Sequence, residues 1–205
     1  VLNIKGVEDN CRRAKRITPG DYKEGRKLSY SKRENQDGAG TKLGEGCYMT
    51  VQKVDLAIIG AGPAGMAAAI SARKAGLKNI LLLERAEYPG GLLHQCIHNG
   101  FGLHYFKQDL TGPEYAERFI TELGALDIKL CLNTMVTHLY PDRTIVAINP
   151  EWGEFKVLPR SVVLAMGCRE KTRFAVGIPG SRPAGIFPAG LAQKLVNVDG
   201  YMPGK

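Results

Sequence analysis

The stretch VDLAIIGAGPAGMAAAISARKAGLKNILLLE, residues 54–84, decides the fold class of this chain of 205 residues. An apolar run at 56–59, a glycine turn, an alanine-rich segment and a second apolar run at 80–83 predict strand, turn, helix and strand. Gly76 follows the helix at a plausible C′ position, and Glu84 ends the second strand. This order is typical of a βαβ unit that binds a dinucleotide.

The glycine turn has a physical reason at each position. Gly60 permits the tight turn, Gly62 lets the backbone approach a pyrophosphate, and Gly65 lets the helix pack closely on the strand. Pro63 suits the first helical turn, because its missing N–H would have no intrahelical partner there. The helix N-terminus attracts phosphate, and Glu84 can accept hydrogen bonds from a ribose diol. A purely structural turn is disfavoured because all these features agree.

Further along the chain, the pattern predicts one more helix and several strands. The helix covers residues 112–123 and leads to a third parallel strand at 127–132. Three short β-branched runs follow at 135–140, 144–148 and 154–158, and they predict an antiparallel meander. Residues 161–166 then return as a buried strand. We therefore predict an α/β fold, a Rossmann-like domain with a parallel sheet and a three-stranded antiparallel β-meander.

Residues 54–205 resemble the two-dinucleotide-binding-domain FAD/NAD(P) oxidoreductases, which belong to the pyridine nucleotide-disulphide oxidoreductase-like superfamily. The resemblance is carried by GAGPAG at 60–65, LLERAEYPGG at 82–91 and VVLAMGCRE at 162–170. The stretch at 167–187 is more specifically similar to the FAD/NAD(P) subunits of dye-linked amino-acid dehydrogenases and to proteins associated with anaerobic glycerol-3-phosphate oxidation. In this family the first βαβ unit binds FAD, and NAD(P) binds a second glycine fingerprint downstream.

The resemblance implies FAD as the cofactor and a set of residues that bind it. Arg85 would lie near the adenine, Val136 or its neighbour Met135 would offer backbone to the adenine, and the return motif would close over the cofactor. Ordinary core strand is an equally good interpretation of the strand residues among them. The implied set is Gly60, Gly62, Pro63, Ala64, Gly65, Glu84, Arg85, Gly91, Leu92, Val136, Ala165 and Gly167.

The loop GGLLHQCIHNG at 90–100 departs from the disulphide reductases of this family. Those enzymes place two cysteines here or in a CxxC downstream, whereas this loop offers only Cys96, so disulphide reductase chemistry is disfavoured. Cys96 is a weak candidate for a proton donor beside the flavin, and the catalytic residues are otherwise unknown. Zinc or copper could be bound by side chains of the types found at His94, Cys96, His98 and His104. We predict no metal, because the paired CxxC spacing of closed structural zinc sites is absent.

In the family, a chain would continue beyond residue 205 into the NAD(P) domain. We expect residues 49–205 to be the N-terminal portion of an FAD-binding domain, from an FAD-dependent, NAD(P)-linked oxidoreductase that is inactive as this fragment. The alternatives are an inert nucleotide-binding or subunit-assembly module and a fragment of an FAD-dependent monooxygenase or oxidase. A small-molecule substrate would exchange electrons through the flavin, and a partner subunit or a second copy would join the assembly.

Residues 1–48 differ in composition from the rest. They hold 11 basic and 7 acidic residues, half of the net charge of +8, and too few apolar residues to bury a core, which predicts a disordered extension. A nucleic-acid arm is possible but disfavoured against a solvated tail. Because Met49 precedes the folded sequence, the extension is alternatively upstream sequence translated in frame. We predict no membrane span, since Asp55 and Pro63 interrupt the apolar stretch, and a cytoplasmic location from the five cysteines without a signal peptide.

Overall fold

The structure is a computed structural model that describes residues 50–181 and 183–204, with the backbone alone for Thr50. The extension predicted for residues 1–48 lies outside the described residues, as does Met49, and both interpretations stay predictions. Within the described ranges, no helix combines the length and the apolar character that a bilayer crossing requires.

The strands are β1 (Thr50–Ile59), β2 (Ile80–Leu83), β3 (Lys129–Cys131), β4 (Met135–Leu139), β5 (Ile145–Asn149) and β6 (Gly153–Leu164). The helices are α1 (Pro63–Lys74), α2 (Gly112–Ala125) and α3 (Ala189–Asn197), together with a 3-10 helix at Gly91–Gln95. The strand-helix-strand unit predicted for residues 54–84 is confirmed, as β1, α1 and β2. Gly76 follows α1 in the left-handed region, with φ of 99°, as a C′ glycine should.

All six strands form one sheet in the order β3-β2-β1-β6-β5-β4. β1, β2 and β3 pair in parallel. The amide of Ala165 donates to the carbonyl of Ile59 at 2.9 Å, so β6 ends beside the end of β1. β5 pairs antiparallel with both β4 and β6. The predicted α/β class is therefore confirmed, and the carboxyl ends of β1, β2 and β6 meet at one edge.

The carboxyl-terminal part of β1, residues 56–59, is buried on both of its faces. Ile59 belongs to a cluster with Phe155 on the side of the β5–β6 hairpin, whereas Ile58 belongs to a cluster with Met66 and Phe119 on the side of α1 and α2. A parallel strand covered on both faces is apolar at successive positions and does not alternate. This explains the uninterrupted apolar run that the sequence shows before the glycine turn.

β3 is shorter than predicted. The expected strand at 127–132 is reduced to Lys129–Cys131. Asp127 and Asn133 both adopt left-handed backbone conformations, each with φ of 51°, and a residue in that region cannot continue a strand. The two positive-φ residues therefore limit the strand at each end.

β6 is one strand where the sequence predicted two. The runs at 154–158 and 161–166 are joined through Pro159 into Gly153–Leu164. Pro159 lies just past Val157, the last residue of β6 that pairs with β5, so its missing N–H removes no bond of that ladder. Beyond this point the strand lies beside β1. The prediction of separate strands was wrong because a proline is tolerated where a strand changes its partner.

The stretch after β6 is thinly packed. α3 buries none of its residues, and its Asn197 side chain donates to the Gln95 carbonyl at 2.7 Å. Several large apolar side chains are exposed here, led by Phe174 at 86% and Met202 at 82%. This part of the chain offers apolar surface that the described residues do not cover.

Candidate functional site

The glycine turn between β1 and α1 lies at the carboxyl edge of the parallel strands. Gly60 has φ of 104° and donates its amide to the Leu83 carbonyl at 2.8 Å. A Cβ at Gly60 would overlap the carbonyl oxygen of Ala165, and a Cβ at Gly65 would overlap the carbonyl oxygen of Gly60. These two glycines are therefore required by packing of the turn against β6 and of α1 against the turn.

Gly62 differs from its two neighbours in the fingerprint. Its φ of −72° is ordinary, and a Cβ built there would have no atom within 4 Å. Nothing in the fold of the described residues requires glycine at this position. The open space in front of its backbone is what a closely approaching ligand needs, so the position is free for a pyrophosphate.

The N-terminus of α1 is open at the same place. Gly62 is the N-cap, without a side-chain cap, Pro63 occupies the first turn, and Pro63 and Ala64 are exposed. The first turn contains no acidic residue that would oppose an anion. Free amides and the positive end of the helix dipole together favour a phosphate group here.

Glu84 is buried, with 8% of its surface exposed. Its Oε2 atom accepts a hydrogen bond from the Ala61 amide at 2.8 Å, and its Oε1 atom accepts one from the Ala86 amide at 2.9 Å. The sequence predicted the acid but not these bonds, which hold the glycine turn against the loop after β2. An ionised carboxylate has about four acceptor positions, so two remain for a ribose diol.

The predicted glycine pair lies against this turn. Gly90 has φ of 116° and donates its amide to the Ala61 carbonyl at 2.8 Å. A Cβ at Gly91, where φ is 56°, would lie 3.2 Å from the Cα of Gly62. The structure thus brings Gly91 to the fingerprint, and the neighbouring Leu92 is 58% exposed.

The remaining predicted cofactor residues are more dispersed. Ala165 lies close to Gly65 across the turn, since a Cβ added at Gly65 would lie 3.4 Å from the Cβ of Ala165. Gly167, at φ of 70°, and Arg85 are both exposed. Val136 is half-buried against the core between β1 and the β5–β6 hairpin. Ala165 is thus brought to the turn, whereas nothing shown places Arg85, Val136 or Gly167 in contact with it.

The loop with Cys96 shows no activated thiol. Burial raises the pKa of the Cys96 thiol above its ordinary value, which disfavours the reactive thiolate. His94 lies with Nε2 2.6 Å from the Pro89 carbonyl, and His98 with Nδ1 2.8 Å from the Asn99 carbonyl. In the described part of the chain, no three His, Cys, Asp or Glu side chains form a group that could hold a metal ion.

An open surface cavity of about 620 Å³ lies elsewhere among the described residues. It is lined by residues that include Asp55, Gly76, Lys78 and Arg160. None of the predicted cofactor residues lines it, and it lies toward the amino ends of the parallel strands. Ligands of open α/β sheets bind outside the carboxyl ends, so we place the candidate site at the glycine turn.

Sequence reasoning missed two residues near this edge. Thr134 and Asn149 are buried polar residues, exposed by 1% and 5%, and they hydrogen-bond to each other. Thr134 directly precedes the run at 135–140 and Asn149 directly follows the run at 144–148, where a polar residue looks like an ordinary turn position. A polar residue next to apolar strand positions is the only signal that the sequence offers.

Three comparisons identify similar proteins. A family model described as pyridine nucleotide-disulphide oxidoreductase matches residues 54–196. An opine oxidase subunit of Agrobacterium tumefaciens is 30% identical over 158 residues, which are 73% of this chain and 30% of that protein. Thioredoxin reductase of Ureaplasma parvum is 28% identical over 130 residues, which are 60% of this chain and 38% of that protein.

Among solved structures, L-proline dehydrogenase from P. horikoshii is similar in fold, with a TM-score of 0.62 and 23% identity. The match covers 78% of this chain and 31% of that chain. The chain spans about a third of the length of the relatives it matches. Because the family model covers well over half of the 205 residues and the fold and glycine turn agree with it, the chain belongs to the pyridine nucleotide-disulphide oxidoreductase family.

Proposed function

We propose that the carboxyl edge of the parallel sheet binds FAD, in an FAD-dependent oxidoreductase linked to NAD(P). The observation that carries the proposal is the hydrogen bond from the Ala61 amide to Glu84 Oε2. It places a carboxylate suited to a ribose directly beside a turn suited to a pyrophosphate. An adenosine diphosphate group contains both features at a matching spacing.

Each part of the chain has a distinct task in this proposal. Gly62 and the open first turn of α1 hold the pyrophosphate, and Glu84 accepts the ribose hydroxyls with its remaining lone pairs. Gly91 and Leu92, beside the turn, would line the path toward the flavin, and Gly167 would close over it. FAD, when bound, supplies the acceptor and donor of a hydride or of single electrons, while the protein supplies binding and electrostatics.

Gly62→Val provides a sharp test of the proposed site. The substituted side chain fits the apo fold, because φ is ordinary and the space is open, but it fills the volume proposed for the pyrophosphate. The full chain is incubated with FAD, free ligand is removed, and the visible spectrum is recorded. We expect flavin bands with the wild type and at least about a tenfold loss of affinity with Gly62→Val, since a steric block removes several phosphate contacts.

Gly124→Ala is the matched control, since it adds a Cβ at another open glycine, in α2. It should retain flavin as the wild type does. FMN, which lacks the adenosine half, should bind much more weakly than FAD. Folded wild-type protein that retains no FAD would contradict the proposal for this chain, and equal retention by Gly62→Val would contradict the placement of the site.

The thiols support an activity other than disulphide reduction, whatever the family name suggests. The described cysteines, Cys96, Cys131 and Cys168, are all free. Burial raises the pKa of Cys96 and raises that of Cys131 to about 11, so neither thiol is activated for exchange. Free thiols and an odd number of cysteines also support a reducing compartment, the cytoplasm, as the location.

We also propose a partner subunit or a second copy of the chain. Exposed apolar side chains such as Phe174 and Met202 support this proposal, and the similar opine oxidase protein is itself named as one subunit of an enzyme. Sedimentation velocity of the wild type and Phe174→Ser checks it for self-association. Concentration-dependent sedimentation that the substitution weakens would support a second copy, whereas a monomer at all concentrations would leave only the partner subunit.

A further inference from the structure

Within residues 50–181 and 183–204, the buried polar side chains belong to residues that one hydrogen-bond network connects. They are Glu84, Thr134 and Asn149, exposed by 8%, 1% and 5%. They come from three different places in the fold: the end of β2, the bend between β3 and β4, and the end of β5. Buried polar groups are costly unless they are fully hydrogen-bonded, so their convergence at one edge calls for a physical role.

Asn149 is fully satisfied within this network. Its Nδ2 atom donates to the Leu132 carbonyl at 3.0 Å and to Thr134 Oγ1 at 2.9 Å. Its Oδ1 atom accepts from the Glu151 amide at 2.9 Å. The amide group thus joins the turn of the β5–β6 hairpin to the bend between β3 and β4.

The bend in turn holds the backbone that carries Glu84. Thr134 donates its hydroxyl to the Leu132 carbonyl at 2.9 Å and its amide to the Glu84 carbonyl at 2.8 Å. The Asn133 amide donates to the Ala86 carbonyl at 2.9 Å. Residues 84 to 86 are therefore fixed from the side of the hairpin, and the Glu84 carboxylate reaches Ala61 from that fixed position.

We infer that Asn149 and Thr134 are positioning residues that set the Glu84 carboxylate against the glycine turn. This rests on the proposed function, because Glu84 is the acid proposed for the ribose. Asn149 and Thr134 act on the proposed cofactor site through the backbone of residues 84 to 86, to which the bend between β3 and β4 is hydrogen-bonded. Its effect is to keep Glu84 and the Ala61 amide in register before any ligand arrives, which lowers the cost of ordering the site on binding.

Amide hydrogen exchange of the full chain without ligand tests the inference independently of FAD. In Asn149→Leu and Thr134→Val, the Ala61 and Ala86 amides should exchange about fivefold faster, as expected for the loss of one net hydrogen bond. Thr134→Ser keeps the hydroxyl and should restore the wild-type rates. Val157→Ala is the matched control, because it weakens the β6 core of the same hairpin without touching the network.

The FAD affinity of the same variants separates the two proposals. If the wild type binds FAD, Asn149→Leu and Thr134→Val should bind it about fivefold more weakly, and Thr134→Ser and Val157→Ala should bind as the wild type. Wild-type protein without FAD affinity would contradict the proposed function but leave the exchange test intact. Unchanged exchange at Ala61 in both Asn149→Leu and Thr134→Val, or equal acceleration in Val157→Ala, would overturn the positioning role.

Discussion

Gly65 sets the distance between α1 and the glycine turn through the absence of one carbon atom. Its added Cβ would overlap the Gly60 carbonyl oxygen, which belongs to the backbone and cannot rotate away. We expect Gly65→Ala to lower the free energy of unfolding by about 2 kcal/mol or more, as overpacking does. Urea denaturation measures it.

The control for this prediction is again Gly124→Ala. At that open helical position alanine should raise the free energy of unfolding by about 1 kcal/mol, because it is the better helix former. Wild-type stability in Gly65→Ala would mean that α1 can shift away from β1 at little cost, and that the close packing is not required.

The buried thiol of Cys131 should make the free energy of unfolding depend on pH. Burial raises the pKa of its thiol to about 11, above the value near 9 of the unfolded chain. Between these values the unfolded chain loses the proton while the folded chain keeps it, so stability is full below pH 9 and falls as the pH rises toward 11. Two pKa units correspond to about 2 to 3 kcal/mol.

The comparison of wild type with Cys131→Val isolates this thiol, since all other titrating groups are shared. We expect the difference in free energy of unfolding between the two proteins to shift by about 2 kcal/mol in favour of the valine variant from pH 8.5 to pH 11. A difference that does not change with pH would show that the thiolate is accommodated in the folded state.

The residue types at the site could be predicted from the sequence, but their bonds could not. The glycine spacing and the terminal acid follow from a pattern that every dinucleotide turn shares. That Glu84 binds the Ala61 amide depends on a distance across the sheet, which no local pattern contains. Thr134 and Asn149 were missed for the same reason, because their partners lie on other elements.

At the scale of elements, the N-terminus of α2 is stabilised by reciprocal hydrogen bonds between Thr111 and Glu114. The Glu114 amide donates to Thr111 Oγ1, and the Thr111 amide donates to Glu114 Oε2 at 2.8 Å, forming a capping box. α2 covers one face of the sheet with Phe119 and Leu123. We expect Thr111→Val to lower the free energy of unfolding by about 1 kcal/mol.

Thr111→Ser keeps the hydroxyl and should stay within a few tenths of a kcal/mol of the wild type, again by urea denaturation. Equal losses in both variants would assign the effect to the threonine methyl group and not to the cap. The sequence contains this cap as T-x-x-E ahead of an apolar periodicity, so helix starts of this kind are predictable. Strand boundaries such as that of β6 are less so, because they depend on which partner is available.

At the scale of the whole molecule, the sequence of 205 residues contains one GxGxxG fingerprint, at Gly60 to Gly65. We therefore expect flavin retained by this chain to be reduced, and its visible bands bleached, by dithionite but not by NADH or NADPH. Anaerobic absorption spectra check this, with a two-domain reductase as the positive control. Bleaching by either nicotinamide would contradict the expectation that this chain is inactive by itself.

Of the whole architecture, only the parts that local sequence patterns determine could be predicted. The βαβ unit and the class of the fold follow from periodicity, and the sheet order agrees with the class. The joining of two predicted strands into β6 was not predictable, because it depends on β1 and β5 offering edges to one strand. The packing of the stretch after Leu164 is likewise not encoded in any local pattern.

The shared strand β6 has a consequence for how the protein is made. β1 and β6 become neighbours across about 100 intervening residues, and contacts of such separation slow folding because a long loop must close first. On the ribosome, β1 and β2 are synthesised early but the sheet cannot be completed until β6 has emerged. During that interval the β1 face later covered by the hairpin is exposed to solvent, and exposed apolar strand surface favours aggregation of a nascent chain.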